Sequence, residues 1–155
     1  MKNIDNTDRK ILQALQTDCS GSVAEIADRA GVSQTPCWRR IKRLEETGYI
    51  TRRVALLNAR KLNLGLTAFI LIKTARHDEE WLIQFASGVS KIPEVLEIHR
   101  MAGEIDYLLK IVAADVDDYD RIYKSLIKVV DLSDVSASFS IESIKSTTVL
   151  PLHVS

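Results

Sequence analysis

The sequence predicts an α+β fold in two domains. A helix-turn-helix domain is expected over residues 1–63, and a strand joins it to a ferredoxin-like domain over residues 64–155. In the first third of the chain, apolar residues recur at helical spacing and are separated by capping and stop signals. In the remainder, strand and helix patterns follow in the order βαββαβ. Together these two patterns predict the fold class.

Charge is distributed unevenly between the two predicted domains. Residues 1–63 carry twelve Lys and Arg against seven Asp and Glu, a net charge of +5, whereas residues 64–155 carry nine against fourteen, a net charge of −5. The whole chain has a formal net charge of zero. A basic module followed by an acidic one indicates that the first meets nucleic acid and the second has another task. The alternative is that the uneven charge is a chance property of a soluble surface.

Composition restricts the classes of protein to consider. Hydrophobic residues make up 46% of the 155 residues and charged residues 27%, which is typical of a globular protein. No apolar run reaches the roughly 20 residues that a membrane-spanning helix needs, and the N-terminus lacks the apolar core of a signal peptide. Cys19 and Cys37 form neither a disulfide framework nor a CxxC pair. We therefore expect a cytoplasmic protein with no membrane association.

Two helices are predicted before residue 32. The first has apolar residues at helical spacing, namely Ile4, Ile11, Leu12 and Leu15. The second follows Gly21, and its Ser22 and Glu25 have the spacing of a capping box. Gly31 is expected to end it, because glycine tolerates the left-handed conformation found at helix C-termini.

A third helix, around Thr35 to Thr47, has a basic outer face. Ser33 can cap this helix, and Pro36 fits only in its first turn. At 100° per residue the apolar side chains fall together toward the core: Cys37, Ile41 and Leu44. The opposite side carries Thr35, Arg39, Lys42 and Arg43. A rod about 20 Å long fits a major groove about 12 Å wide, so the two helices around Gly31 predict a helix-turn-helix.

The outer face of the third helix predicts DNA binding, with two roles divided along it. Residues near its N-terminal end are placed for base edges: Gln34, Thr35 and Arg39. The other basic residues are placed for phosphates: Arg40, Lys42, Arg43, Arg52 and Arg53. Ser33 completes the predicted contact set. The alternative is a charged face that is merely solvated, but that alternative leaves the capping box and the Gly31 turn unexplained.

Two further residues of this helix have alternative interpretations. Cys37 is either a redox switch or a small apolar core residue, and its register among core positions favours the second. Trp38 lies at the border between the two faces. It either stacks on a base or packs between helices, and packing is the interpretation that its border position favours.

The connection between the domains predicts a partner chain. Ile50 to Leu57 has the pattern of one strand, and residues 58–63 form a polar connection that marks the domain boundary. A lone strand is not stable in water. A second copy of the same strand would pair with it, which indicates a dimer.

Residues 64–155 alternate strand and helix patterns. Strands are predicted at Leu66–Thr74, Val95–Met101, Tyr107–Val112 and Val135–Glu142, and helices at Asp78–Ser90 and Asp115–Val130. Val116 is expected among the inward residues of the second of these helices. The order predicts a four-stranded antiparallel sheet with two helices on one face. Because the strands are apolar on both sides, a second subunit is expected to cover the other face.

Several stretches of the chain resemble the Lrp/AsnC family of leucine-responsive, or feast–famine, transcription regulators. They occur in the family's order and cover nearly the whole chain: Ile4–Leu12, Thr35–Glu45, Gly48–Ile50, Gly103–Tyr107, Leu132–Val135 and Leu150–Leu152. The resemblance implies a winged type of helix-turn-helix and a linking strand paired across a dyad. It also implies homodimers that assemble to octamers, double-stranded DNA as a partner, and a free amino acid bound between dimers.

The family's ligand turn falls on Met101, Gly103, Glu104, Asp106 and Tyr107, and the last strand of a neighbouring subunit adds Ser136 and Ser138. A glycine turn exposes backbone N–H groups to a carboxylate, and Asp106 can accept a hydrogen bond from the ligand's ammonium. The same turn is also a plain hairpin turn, and family members can keep it without an effector response. Many relatives have a threonine where this chain has Ser136 or Ser138, a difference that bears on the preference for the ligand's side chain more than on its backbone contacts. The resemblance implies a small apolar or sulfur-containing amino acid as effector, and no other cofactor.

Two other classes of function are considered beside the effector-responsive regulator. An effector-independent architectural DNA-binding protein shares the helix-turn-helix and differs only at the turn near Asp106. An enzyme needs a nucleophile, a base and an orienting group, and the sequence shows no plausible set. His77, His99 and His153 lie in separate segments without metal-ligand spacing, and no glycine-rich phosphate loop occurs. We therefore expect neither an enzyme nor a metal site.

Overall fold

The computed structural model describes residues 4–76 and 78–152. Its N-terminal part contains three helices: α1 (Asn6–Thr17), α2 (Val23–Ala30) and α3 (Gln34–Glu46). The three predicted helices are therefore confirmed, and α3 begins one residue earlier than expected.

Capping interactions explain where these helices begin and end. In α1 the Asp5 side chain accepts from the Asp8 N–H at 2.8 Å while the Asp8 carboxylate accepts from the Asp5 N–H at 3.0 Å. Ser22 and Glu25 form the predicted capping box of α2. Gly31 has φ 65°, the left-handed conformation that ends α2 and turns the chain toward α3.

The three helices enclose one small apolar core. Its buried members are Ile11, Ala14, Leu15, Ile26, Ala27, Ala30, Cys37, Ile41 and Leu44. Burial raises the pKa of the Cys37 thiol. A buried thiol with a raised pKa is a poor nucleophile, so the core interpretation of Cys37 is favoured over the redox switch.

The structure differs from the prediction between the two domains. Within residues 4–65 no strand is formed, so the single chain shows neither the predicted strand over Ile50–Leu57 nor a β-wing. Residues 51–58 are exposed, and a short 3₁₀ helix follows at Ala59–Leu62. The physical reason is that a strand needs a neighbouring strand for its hydrogen bonds, and the described part of the chain supplies none here.

The second part of the chain is the predicted βαββαβ arrangement. Its elements are β1 (Leu66–Lys73), α4 (Glu79–Val89), β2 (Val95–Arg100), β3 (Tyr107–Ala113), α5 (Val116–Leu126) and β4 (Asp134–Phe139). The four strands form one antiparallel sheet in the order β2-β3-β1-β4. β1 and β3 are the central strands because each pairs on both sides.

The helices α4 and α5 pack on one face of this sheet. Alternate residues of β1 and β3 point toward them, and the buried core has these members: Ala68, Ile70, Ile72, Trp81, Phe85, Val89, Tyr107, Leu109, Ile111, Ala113, Ile122 and Leu126. The intervening residues of β1, Thr67, Phe69 and Leu71, are only partly buried. This second face of the sheet is the one that the sequence predicted to be uncovered in a single chain.

Helix α5 is shorter than predicted. It ends at Leu126, and residues 127–129 form a turn. Val116, expected to point inward, is 62% exposed. Asp115 caps α5 through a hydrogen bond from the Asp118 N–H, so Val116 is the first helical residue and lies outside the inward stripe that Ile122 and Leu126 continue.

The chain divides into two compact units, which differ from the predicted domains at their ends. The helix-turn-helix unit comprises residues up to Leu56 together with those from Lys145 onward, and the βαββαβ unit runs from Leu57 to Ile144. The C-terminal segment joins the first unit through Gln16 of α1. The Gln16 side chain donates to the Leu150 carbonyl at 2.8 Å and accepts from the Leu150 N–H at 3.0 Å. The predicted boundary after residue 63 did not include this return of the chain.

Candidate DNA-binding and effector sites

The outer face of α3 exposes basic and aromatic side chains. Arg39 and Lys42 are exposed. The Lys42 Nζ lies 5.2 Å from the centroid of the Trp38 ring, a cation–π contact. Trp38 itself is 51% exposed, so it does not pack between helices as its border position suggested. It adds a flat aromatic surface to the basic face.

The start of α3 is polar and open to solvent. Ser33, Gln34 and Thr35 are all exposed. Ser33 stands at the N-cap position, but its side chain makes no capping hydrogen bond, contrary to the expected cap. The three residues predicted near base edges, Gln34, Thr35 and Arg39, are thus on the accessible surface of α3.

Arg40 and Arg43 lie on the side of α3 that faces α1, where they hold a buried carboxylate. The Arg40 Nη1 is 2.7 Å from Asp8 Oδ1 and 2.7 Å from Asp5 Oδ2, and Arg43 Nη2 donates to Asp8 Oδ2. Asp8 is 1% exposed. Helical periodicity along α3 places Arg43 on the outer face and predicts phosphate contacts for both arginines, but it does not predict their pairing with Asp8. The sequence signal that could have indicated this pairing is Asp8, the acidic residue in the first turn of α1.

This ion-pair cluster also changes acidities. The Asp8 backbone N–H, and next the Arg40 guanidinium, hold the pKa of the Asp5 carboxyl below its ordinary value. Hydrogen bonds to Asp5 and Asp8 raise the pKa of Arg40 further. Both shifts favour the charged forms of Asp5 and Arg40, and the cluster acts as an electrostatic contact between α1 and α3.

The two arginines after α3 differ from one another. Arg53 Nη2 lies 2.7 Å from Glu45 Oε1 near the end of α3. Arg52 is exposed, and within the described part of the chain no carboxylate lies at ion-pair distance from it. Both residues belong to the exposed segment 51–58.

The predicted effector turn connects β2 to β3. The Asp106 N–H donates to the Ile72 carbonyl at 2.9 Å, and the Met101 N–H donates to the Asp106 carbonyl at 2.8 Å. Asp106 Oδ2 accepts from the Thr74 N–H at 2.8 Å. Gly103 has φ 140°, which a residue with a side chain rarely adopts. The backbone of the turn is thereby fixed against the end of β1.

The other residues predicted for the effector are not all gathered by one chain. Met101, Gly103 and Glu104 are exposed on the turn. Tyr107 is different. Its ring is only 5% exposed and packs against the rings of Trp81 and Phe85, at centroid distances of 5.6 Å and 4.8 Å. The Tyr107 side chain is therefore not available to a ligand at the surface. It can affect the turn only through its packing in the core.

The two serines lie on the far edge strand. Ser136 pairs with Leu71 and Ser138 with Phe69, on the sheet face away from the helices, and both are exposed. β4 is two strands from β3 in the sheet. At a strand spacing of about 4.8 Å, this is a separation of about 10 Å, so a single chain does not bring these serines beside the turn.

The described residues contain neither a group of side chains that could hold a metal ion nor a helix that could cross a membrane. Of the three histidines, His77 and His153 lie outside the described residues, and His99 Nε2 is 3.0 Å from Glu97 Oε2 on the surface of β2. Over residues 4–76 and 78–152, no three His, Cys, Asp or Glu side chains are grouped so that they could hold a metal ion. No helix in the same ranges is long and apolar enough to cross a membrane.

Two family profiles match the chain. The AsnC-type helix-turn-helix domain matches residues 4–45, and the Lrp/AsnC ligand binding domain matches residues 67–150. The chain is 49% identical over 151 residues to the DNA-binding transcriptional activator DecR of Escherichia coli, covering 97% of this chain and 99% of that protein.

Solved structures agree with this assignment. The crystal structure of an AsnC family transcriptional regulator from Agrobacterium tumefaciens has a TM-score of 0.93 and 50% identity, covering 96% of this chain and 97% of the other. A transcriptional regulator from Neisseria meningitidis in complex with L-methionine has a TM-score of 0.91 and 38% identity, covering 97% of both chains.

A helix-turn-helix unit followed by a βαββαβ unit with a ligand-binding profile defines a DNA-binding transcription regulator, and not an enzyme. The chain belongs to the Lrp/AsnC family. The class predicted from the sequence is thereby confirmed.

Proposed function

We propose that this protein recognises a specific DNA sequence through α3 and that a free amino acid, bound at the turn between β2 and β3, modulates its DNA binding or its assembly. The observation that carries the proposal is the accessible face of α3, on which Arg39, Lys42 and Trp38 are exposed beside the polar residues at the start of the helix. Exposed side chains at the N-terminal end of such a helix are those that reach base edges in the major groove.

The phosphate contacts are assigned to the other basic residues. Lys42, Arg52 and Arg53 present accessible charges, and Arg40 and Arg43 present the parts of their guanidinium groups that Asp8 does not occupy. Such contacts fix the orientation of the protein on the duplex but carry little sequence information.

Arg39→Ala is expected to reduce discrimination between a selected operator and random duplex by about 1–3 kcal/mol, because a bidentate arginine–guanine contact contributes that much. The measurement is a pair of dissociation constants at fixed salt, one for each duplex. Lys42→Ala is the matched comparison from the same face. It should weaken both duplexes equally and reduce the salt slope by about 0.9, as expected for one lost phosphate contact. Equal weakening of both duplexes by Arg39→Ala would contradict the base-reading role.

The turn between β2 and β3 supports the effector part of the proposal. Its backbone is exposed around Gly103, and Asp106 provides a carboxylate at its end. These groups suit the carboxylate and the ammonium of an amino acid respectively. The N. meningitidis relative is described in complex with L-methionine, and a small apolar or sulfur-containing amino acid is our proposal for this chain. Ser136 and Ser138 would come from a neighbouring copy.

Asp106→Asn is expected to weaken effector binding about ten- to hundredfold, since a hydrogen bond to a charged group contributes about 1.5–3 kcal/mol. Asparagine keeps an oxygen that can accept from the Thr74 N–H, so the turn should stay folded. Thermal shift with each proteinogenic amino acid identifies the effector, and calorimetry then compares the variant with wild type.

Asp117→Asn is the control for this change, because Asp117 is exposed on α5, outside the turn, and the replacement removes the same charge. No stabilisation of the wild type by any amino acid would overturn the effector role and favour the architectural DNA-binding protein.

We also propose that the protein forms a homodimer and that dimers assemble to an octamer. The exposed apolar surfaces of the single chain support this proposal. Val54, Leu56 and Leu57 are exposed in the segment 51–58, where a partner strand would pair. Cytoplasmic location is proposed with it. Solution mass measured with and without the effector tests the assembly.

A further inference from the structure

The basic surface of α3 contains two kinds of positive charge. Arg39 and Lys42 are exposed and, within the described part of the chain, have no carboxylate at ion-pair distance. Arg40 and Arg43 are anchored on Asp8, one to each carboxylate oxygen. Asp8 is almost completely buried, so its position is set by the core of the helix-turn-helix unit. The buried Asp8 carboxylate therefore holds both guanidinium groups in place.

Each anchored arginine still has donors to offer. A guanidinium has five N–H groups in one rigid plane. The hydrogen bonds recorded for Arg40 use Nη1, and the one recorded for Arg43 uses Nη2. Both side chains remain partly exposed, at 30% and 42%. The remaining N–H groups are therefore available to a ligand that approaches from solvent.

These arginines, together with Arg39, border a concave surface beside α3. The hollow has a volume of about 340 Å³ and is lined by Pro36, Arg39, Arg40 and Arg43. Its volume is about ten times that of one liquid water molecule. Three of the four lining residues are arginines, and a phosphate group accepts hydrogen bonds in the bidentate geometry that a guanidinium offers. The hollow is larger than one phosphate group, so it can admit a backbone phosphate together with water.

We propose that Asp8 is a positioning residue for DNA recognition. Its buried carboxylate fixes Arg40 and Arg43 so that, with Arg39, they form a seat for one phosphate of the DNA backbone. The inference rests on the proposed function, because it assumes that α3 docks on DNA. It adds a residue that touches no DNA itself and acts only through two others.

A phosphate-binding site with fixed arginines affects DNA recognition differently from arginines that are free to move. Mobile arginines reach some phosphate in any docking orientation, so they strengthen binding to every sequence. A fixed seat is satisfied in one orientation only, the one in which the start of α3 meets the correct base edges. The Asp8 carboxylate also cancels one positive charge. Asp8 is therefore expected to lower general attraction to DNA while it raises discrimination.

Asp8→Asn tests this role with little change of shape. The asparagine oxygen can still accept from the Asp5 N–H, which keeps the start of α1 capped. Asp18→Asn is the matched control. It removes the same charge at the other end of α1, where Asp18 pairs with Arg29 at 3.4 Å and not with α3.

The measurement compares two duplexes over a series of salt concentrations. One is an operator selected from a random pool by the wild-type protein, and the other is random duplex of the same length. For Asp8→Asn we expect unchanged or tighter binding to random duplex, a steeper salt dependence, and discrimination reduced about tenfold, which corresponds to the loss of one positioned contact. For Asp18→Asn, discrimination should stay within about twofold of wild type.

Three results would overturn the proposal. Discrimination unchanged in Asp8→Asn shows that no positioning occurs. Equal weakening on both duplexes shows a merely structural role. An equal loss of discrimination in Asp18→Asn shows a general charge effect. Failure of the proposed function is a separate result, namely that the wild type itself does not discriminate, and it removes this inference as well.

If Asp8→Asn is unfolded at the assay temperature, a second variant tests the proposal in its place. The double replacement Arg40→Lys/Arg43→Lys keeps both positive charges but removes the planar guanidinium groups. It should lose discrimination about tenfold while the salt slope stays that of wild type, because the number of charges is unchanged. Retained discrimination in this double variant would contradict the phosphate seat.

Discussion

Replacing Arg40 and Arg43 together by methionine is expected to lower the free energy of unfolding of the helix-turn-helix unit by about 3 kcal/mol, because the Asp8 carboxylate would stay buried without a cation. We use the lower end of the usual cost of breaking a buried ion pair, since both arginines are partly exposed. Methionine keeps much of the apolar stem, so the lost charge and hydrogen bonds dominate the effect.

Thermal denaturation followed by circular dichroism measures this effect. For a unit of this size each kcal/mol lowers the midpoint by about 4–8 °C, so a fall of about 12 °C or more is expected. The control is Arg39→Met/Lys42→Met on the exposed face, which should stay within about 0.5 kcal/mol of wild type for each replacement.

Adding Asp8→Asn to the Arg40→Met/Arg43→Met variant tests the cause directly. The buried group is then neutral, and much of the lost stability should return, because an uncompensated charge costs far more to bury than an amide. A triple variant that is no more stable than the double variant would show that the buried carboxylate is not the source of the loss.

Phe85→Ala is expected to destabilise the βαββαβ unit by about 3–5 kcal/mol, the usual cost of removing a buried aromatic ring. Phe85 is fully buried, and its ring stacks on Trp81 at 4.9 Å and meets Tyr107 at 4.8 Å. The loss combines the buried apolar area with the cavity left between helix α4 and the sheet.

This change also bears on the turn between β2 and β3, where we propose that the effector binds. Tyr107 is the first residue of β3 and directly follows Asp106, so the aromatic cluster supports the end of the turn from inside the core. Denaturant unfolding gives the loss of stability, and thermal shift by the effector should decrease in the same variant. Ile83→Ala is the control because Ile83 lies on the same helix but is exposed. A loss as large in Ile83→Ala as in Phe85→Ala would refute burial as the cause.

Local rules explain why much of the fold could be predicted from the sequence. The caps at Ser22 and Gly31 depend on residues three positions apart or on one residue's own backbone, and both were predicted correctly. The strands of the βαββαβ unit are predictable from short apolar runs bounded by turn residues, and β4 from the alternation of apolar and polar residues along it. The same locality made the exposed face of α3 predictable, with Arg39 and Lys42 on it.

Errors arose where a residue's environment comes from elsewhere in the chain. Val116 matched the inward pattern of its helix, but its place as the first residue of α5 left it exposed. Tyr107 belongs to the motif of the turn, yet its ring is part of the core because Trp81 and Phe85 on α4 meet it there. The strand expected over Ile50–Leu57 is not formed, since pairing needs a second strand that the described chain does not supply.

The sequence by itself therefore determined the helix-turn-helix, the order of the sheet-forming elements, the family, and the position of the basic helix. Only the tertiary structure showed that Arg40 and Arg43 are anchored on the buried Asp8, more than 30 residues earlier in the chain. Helical periodicity gives the direction of a side chain around its own axis, but not which charged group of another helix it meets. That pairing depends on how α1 packs against α3, and it divides the charges of α3 into fixed and free ones.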